Sequence, residues 1–364
     1  MEKNKARVFM IGYSANKGGV EAYISNLNEN IDHREFEVIY QLPEMIIDGK
    51  KWVAPPNRHN YIKYRLFWKR FFRVNHFDAL YLNTCDIVSI DPIKFAKHAG
   101  IPVRIIHSHS IGAQQGIDRE MSLFHRISER RSRQNLNQYA THLFACSKVA
   151  GKWMFGENRE FETIKNGINI QKYAFSIDNR ASCRKAIGFE NEPVIGIIGR
   201  LDPVKNPLFA LDIAERAIKQ NKCKAVFIGD GECRTNLENA IRERGLERDV
   251  VLTGAVDNVH EWMSAIDCLL MPSLFEGLPF VLVEAQAAGL HCVVSSTVSE
   301  EANITGLIDY VDLDETPDIW AEHALKACNS PRADVSQKLI EAGYSIEDTA
   351  DIVSEIIKQA LKAD

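Results

Sequence analysis

A chain of 364 residues, 45% apolar and 26% charged, is long enough for two globular domains of ordinary soluble composition. Its 44 basic and 49 acidic residues leave a net charge of −5, which argues against binding nucleic acid through bulk charge. The eight cysteines are scattered from Cys85 to Cys328 without a C-x-x-C pair and read as reduced, mostly buried thiols rather than a disulfide or zinc framework.

Met1–Arg7 leads straight into a first strand, Arg7–Ile11, without a signal-peptide pattern. No uninterrupted apolar run approaches the length of a membrane span, so a cytoplasmic location is expected. Gly12 to Gly19 reads as a loop, and Val20–Leu27 has helical spacing. Strands are expected at Phe36–Tyr40, Ala79–Leu82, Val103–Ile106 and Thr141–Ala145, with helical patterns between them. Within this half, Arg58–Arg73 sets Tyr61, Tyr64, Trp68, Phe71 and Phe72 at helical spacing among Arg58, Lys63, Arg65, Lys69, Arg70 and Arg73. Such a helix can rest on an anionic membrane, or its aromatic stripe can pack on a sheet with the cations as its wet face; the sequence leaves both open. A second basic run, Arg119–Arg133, contains Arg126, Arg130 and Arg131. The alternation pauses between about Asn166 and Pro193. It restarts with Val194–Ile198, then strands at Lys224–Ile228, Val250–Leu252, Asp267–Met271 and His291–Ser295, each followed by a helical stretch. A strand–loop–helix rhythm of about 20–25 residues is that of parallel βα units. The expected fold is α/β, with two Rossmann-like doubly wound domains, 1–180 and 181–344, and a last helix at about 345–364 packing back on the first.

The most informative stretch is Ser273–Ala285. It follows a buried strand, carries Glu276 and Gly277 on a loop, sets Pro279 at the expected first helical position, and places Glu284 about a turn inside the helix. Free N–H groups at that helix start, flanked by two carboxylates, suit a ligand with an anionic centre and hydroxyls on either side, as in a nucleotide-sugar.

Further landmarks stand in order: Gly18-Gly19-Val20-Glu21, His107-Ser108-His109, Ala145-Cys146-Ser147, Lys165-Asn166-Gly167-Ile168, Gly199 to Pro207 with Arg200 and Lys205, Gly229-Asp230-Gly231, Thr253-Gly254, then Glu276 and Glu284. In these the chain resembles, over essentially its whole length, a family 4 glycosyltransferase of the GT-B fold, and within that family the enzymes of bacterial capsule, exopolysaccharide or lipopolysaccharide assembly. The resemblance implies two domains facing a central cleft, the first for the acceptor and the second for the nucleotide-sugar. It implies a retaining, metal-independent hexosyltransferase that moves a hexose or N-acetylhexosamine from a donor, UDP-linked in this reading, to a lipid-linked glycan. No cofactor is expected beyond that donor substrate. Peripheral contact with an anionic membrane is one reading of the partners, and nucleic acid is not among them.

The resemblance also assigns roles. Arg200 and Lys205 would meet the diphosphate as its charge grows, in place of a metal. Glu284 would accept the ribose hydroxyls, and Glu276 would lie beside the donor sugar. Leu278-Pro279 replaces the phenylalanine–glycine pair of many relatives. Pro279 has no N–H, so the donors facing the phosphate would come from Phe280 and Val281. Gly18 and Gly19 would let a phosphate or sugar approach the backbone. His109 would contact the donor sugar, with His107 as the alternative on the same strand face. Each has a plainer reading: an interdomain salt bridge for Arg200, a solvated Lys205, a dipole-stabilised Glu284, a surface Glu276, a flexible turn at the glycines, a core histidine. Asp312-Leu313-Asp314 matches a metal-binding pattern but lies late in the chain, away from the expected nucleotide site, and Gly229-Asp230-Gly231 is too short for a dinucleotide fingerprint. Two rival functions remain at this point: a non-catalytic nucleotide-sugar-binding partner of another transferase, and a GT-B-fold epimerase.

Overall fold

The computed structural model describes residues 5–12, 18–109, 123–221, 223–276 and 278–363. The chain forms two compact units, one of residues 1–167 together with 346–364 and the other of 168–345. The division falls after Gly167, earlier than the expected boundary near 180. Ile168 and Ile170 bury themselves with Val283, Leu339 and Tyr344 of the second unit, so the intervening segment belongs there by packing.

In the first unit the strands are β1 (Ala6–Ile11), β2 (Phe36–Tyr40), β3 (Glu44–Ile47), β4 (Lys50–Val53), β5 (Ala79–Thr84), β6 (Val103–Ser108), β7 (His142–Ala145) and β8 (Glu162–Thr163). Six of them make a parallel sheet in the order β2-β1-β5-β6-β7-β8. The strand order reverses between β1 and β5, and the carboxyl ends of strands at such a point open a crevice. Helix α1 (Gly19–Asn30) follows β1. Helix α2 (Tyr61–Val74) turns Tyr64, Trp68, Phe71 and Phe72 inward. Trp68, Phe71 and Phe72 pack against Phe9, Phe71 and Phe72 also meet Phe77, and Tyr64 packs on Trp68; a fully buried ring of this size contributes about 2–3 kcal/mol by area alone. The aromatic stripe of α2 is therefore core, and Lys63, Arg65, Lys69, Arg70 and Arg73 are its exposed face. The hairpin β3–β4 was not expected from the sequence. Its turn, Asp48-Gly49, has positive φ at both residues, 49° and 74°, the requirement of the two-residue turn that joins twisted strands. The C-terminal helix, Ile346–Ala363, belongs to this unit and buries Ile346, Ala350, Val353 and Ile357.

The second unit holds β9 (Val194–Ile198), β10 (Lys224–Ile228), β11 (Val250–Gly254), β12 (Cys268–Met271), β13 (His291–Ser295) and β14 (Ile308–Val311), all parallel, in the order β11-β10-β9-β12-β13-β14. Its switch point lies between β9 and β12. β9 is buried at every residue, and a Cβ on its Gly196 would sit 2.4 Å from Ile266 Cδ1, so only glycine fits the layer beneath. The Gly-Asp-Gly turn is also explained by packing. Cβ atoms on Gly229 and Gly231 would fall 1.9 and 2.3 Å from the carbonyl oxygens of Gly199 and Leu201, so this turn lies directly against the loop after β9.

Candidate active site

The loops that leave β9 and β12 are joined at the second switch point. Leu274 N–H donates to Val204 O at 2.8 Å, and Lys205 Nζ pairs with Glu276 Oε1. Local chemistry sets both partners. Asp202 caps the short 3₁₀ turn Pro203–Lys205 by accepting from Lys205 N–H at 3.1 Å, and Asn206 ends it in the left-handed region at φ 52°. Gly199 has φ 149°, and Lys205 Cε passes 3.4 Å from where its Cβ would be. The lysine stem therefore crosses the backbone at the end of β9 to reach Glu276. On the other side, Ser295 Oγ and Thr297 Oγ1 donate to Ser273 O at 2.6 and 3.0 Å, which holds the β12 loop against the end of β13. Arg200, on the same loop as Lys205, is exposed and has no ion pair among the described residues.

The helix Phe280–Ala287 starts at this point. Pro279 is its N-cap, with φ −72° and ψ 129°, and not its first helical residue as the sequence suggests. Leu282 N–H bonds back to Pro279 O at 3.1 Å. Phe280 and Val281 thus supply the first N–H groups of the helix, whose ends leave such donors for a ligand. Gly277 lies outside the described residues. Glu284 sits one turn in and is half-buried. Its Oε1 accepts from Tyr173 Oη at 2.6 Å. Burial raises the Glu284 carboxyl above its ordinary range, against the opposing effects of the Tyr173 hydroxyl and the Lys172 charge. Tyr173 was not singled out in the sequence, since it lies 111 positions from its partner.

A separate polar cluster sits in the first unit, at the carboxyl ends of β1, β5 and β6. His109 Nε2 bonds Asn83 Oδ1 at 2.9 Å and Nδ1 meets Asn166 Oδ1 at 3.0 Å. Asn83 Nδ2 donates to Ile11 O at 3.3 Å, which fixes its oxygen toward the ring. A neutral imidazole has one N–H, so the ring donates to one of these two amides and accepts from the other. Burial holds His109 down to about 4, so it is neutral at physiological pH. His107 is fully buried behind it. Its Nδ1 meets Tyr81 Oη at 2.9 Å, and Tyr81 in turn meets Tyr23 Oη at 2.9 Å. Of the two histidines, His109 is the partly exposed one. Asn166 gives the Lys165-Asn-Gly landmark a role, and Asn83 gave no signal in the sequence.

Gly18 is the N-cap of α1, and a Cβ there would lie 2.8 Å from Glu21 Oε2. A carboxylate therefore lies at the positive end of this helix, where the dipole favours it. Asp312 Oδ1 accepts from Asp314 N–H at 3.0 Å, the bond of a local turn. Among the described residues no group of His, Cys, Asp and Glu is arranged to hold a metal.

Residues 192–330 match the family described as glycosyl transferases group 1. The chain is 29% identical to a Bacillus subtilis (strain 168) protein that carries the name glycosyltransferase EpsF, over 95% of each chain. Over 41% of this chain and 40% of the other, it is 31% identical to the UDP-Gal:alpha-D-GlcNAc-diphosphoundecaprenol alpha-1,3-galactosyltransferase of Escherichia coli. The fold is shared with the crystal structure of Anabaena Alr3699/HepE in complex with UDP and glucose, at a TM-score of 0.75 and 18% identity, over 96% of this chain and 99% of that one.

Proposed function

We propose that this chain, which has the GT-B fold and matches glycosyl transferases group 1 over residues 192–330, is a glycosyltransferase that moves a hexose or N-acetylhexosamine, with retention, from a UDP-sugar to a lipid-linked glycan during assembly of a surface polysaccharide. The observation that carries this reading is the convergence at the second switch point: Lys205 paired with Glu276, Arg200 exposed beside them, and a helix start with Glu284 one turn in. The relatives support the donor and acceptor classes. The E. coli enzyme is named for UDP-Gal and a diphosphoundecaprenol-linked sugar, and the Anabaena structure holds UDP and glucose.

In this reading the diphosphate arrives over the N–H groups of Phe280 and Val281. It draws Lys205 off Glu276, and Arg200 and Lys205 together stabilise the charge that grows as the sugar leaves. Glu276, freed of its cation, accepts a sugar hydroxyl. Glu284 accepts from the ribose. His109, neutral and held between two amides, presents a fixed ring edge, and Gly18 and Gly19 open the backbone to a phosphate or sugar. Two cations and a helix start do the work of a divalent metal. No helix among the described residues is long and apolar enough to cross a membrane. We place the enzyme at the inner face of the cell membrane by the outer face of α2, where Ile62 and Leu66, 73% and 60% exposed, stand among Lys63, Arg65 and Lys69.

The test is release of UDP from a panel of UDP-sugars, with and without an undecaprenol-diphosphate-linked acceptor, in buffer containing EDTA. Acceptor-dependent release that survives the chelator is expected. Loss of activity on chelation, restored by manganese or magnesium, overturns the metal-independent part. Release that ignores the acceptor overturns the transfer.

A further inference from the structure

The side chain that touches Glu284 is Tyr173, and it comes from far away in the sequence. It ends the short helix Ile170–Tyr173, which Asn169 caps by accepting from Lys172 N–H at 2.9 Å. The tyrosine ring packs among the buried apolar residues of the second unit and meets the His260 ring nearly edge-on, at 6.3 Å and 78°. Its hydroxyl donates to Glu284 Oε1 at 2.6 Å. Glu284 Oε2 has no hydrogen bond among the described residues. One oxygen of this carboxylate is therefore occupied by the protein and the other is left for a ligand.

We infer that Tyr173 is the residue that aims Glu284, so that the free oxygen meets a ribose hydroxyl, and that this pair makes the enzyme discriminate ribonucleotides from deoxyribonucleotides. The inference rests on the reading of Glu284 as the ribose acceptor. The terminal torsion of a glutamate is broad and nearly two-fold, so an unheld carboxylate samples many orientations. A short bond from a tyrosine whose ring is itself packed removes that freedom before the ligand arrives, which is how preorganisation raises affinity. A site built around a buried hydrogen-bonding group rejects a ligand lacking the matching hydroxyl, because the group is then left unpaired. Without Tyr173 the carboxylate turns more freely toward water, and the ribose hydroxyl gains less from it. Tyr173 is a positioning residue: it acts on the nucleotide through Glu284.

The experiment compares wild type, Tyr173→Phe and Glu284→Ala by calorimetry with UDP and its 2′-deoxy and 3′-deoxy counterparts, with the GDP and ADP series alongside. The phenylalanine keeps the ring and its packing and removes only the hydroxyl, so melting of the unliganded protein is expected to be unchanged. Wild type should prefer the ribonucleotide by about tenfold or more. Glu284→Ala should bring that preference close to one, and Tyr173→Phe should lower it by at least about threefold. If Glu284→Ala collapses the preference and Tyr173→Phe leaves it at the wild-type value, Tyr173 does not aim the carboxylate and the Glu284 reading stands. A Tyr173→Phe variant that weakens ribo- and deoxyribonucleotides equally overturns the inference in favour of packing alone. A wild type that shows no preference, or a preference that survives Glu284→Ala, sinks the ribose reading and the inference with it.

Discussion

Lys205 and Glu276 neutralise each other across the second switch point, so a change at either alters two groups. Lys205→Ala and Arg200→Ala are each expected to lower turnover by about 10²–10³, roughly 3–4 kcal/mol of transition-state stabilisation, with melting nearly unchanged; steady-state kinetics on both variants checks this. The ion pair adds a consequence for binding. Glu276→Ala releases Lys205, so UDP should bind as well as before or more tightly while use of the sugar is lost. Glu284→Ala should weaken UDP itself. Calorimetry with UDP on the two variants separates them, and equal losses would contradict the assignment. His109 makes a prediction about pH. Its folded-state value is depressed, from the ordinary 6.5 to about 4, so the unfolded chain takes up the proton first as pH falls. Its contribution to stability is whole above about 6.5 and is lost between 6.5 and 4, with a slope of at most about 1.4 kcal/mol per pH unit. His109→Gln removes that proton site, so it should lose less melting temperature than wild type between pH 7.5 and pH 5.

Helix α2 shows why an element's neighbours decide what its pattern means. The spacing of Tyr64, Trp68, Phe71 and Phe72 was legible as an apolar stripe, but the same spacing serves a membrane or a sheet. Only the position of Phe9 and Phe77 beneath it settles the stripe as core. Trp68, 1% exposed, should cost about 3–5 kcal/mol when replaced by alanine, read as a shift in the denaturant midpoint. Replacing Lys63, Arg65 and Lys69 by glutamine should leave that midpoint in place. It should remove most co-sedimentation with anionic vesicles at low salt, at about 1 kcal/mol for each cation near the surface. Wild type that sediments equally with neutral and anionic vesicles would leave this face without a membrane role. The hairpin β3–β4 has a local signal of its own, the Asp48-Gly49 pair at its turn. Pro279 misleads for another reason: its ring suits a first helical residue, yet its ψ of 129° is extended, and the helix begins one residue later.

At the scale of the molecule, two parallel sheets were readable from buried strands alternating with helices, and so were the loops after β9 and β12 that carry Arg200, Lys205 and Glu276. Contacts between residues distant in sequence were not. Tyr173 finds Glu284, and Ile168 finds Val283 and Tyr344, across separations no local pattern encodes, and this is why the boundary was expected too late. The first unit is also discontinuous: residues 1–167 are completed by a helix that begins at Ile346. Ending the chain after Ser345 strips cover from α1, against which that helix packs. The truncated protein should show a weakened first transition on heating while still binding UDP through the second unit; calorimetry of both properties on one sample checks this, and loss of UDP binding would contradict the division. The same discontinuity bears on birth at the ribosome. Domains in a growing chain generally fold in the order they emerge, but here the second unit has all its residues once Ser345 has been added, while the first still lacks its last helix. The part of the protein that starts first must therefore wait, with an apolar face uncovered, until the helix that begins at Ile346 has been made.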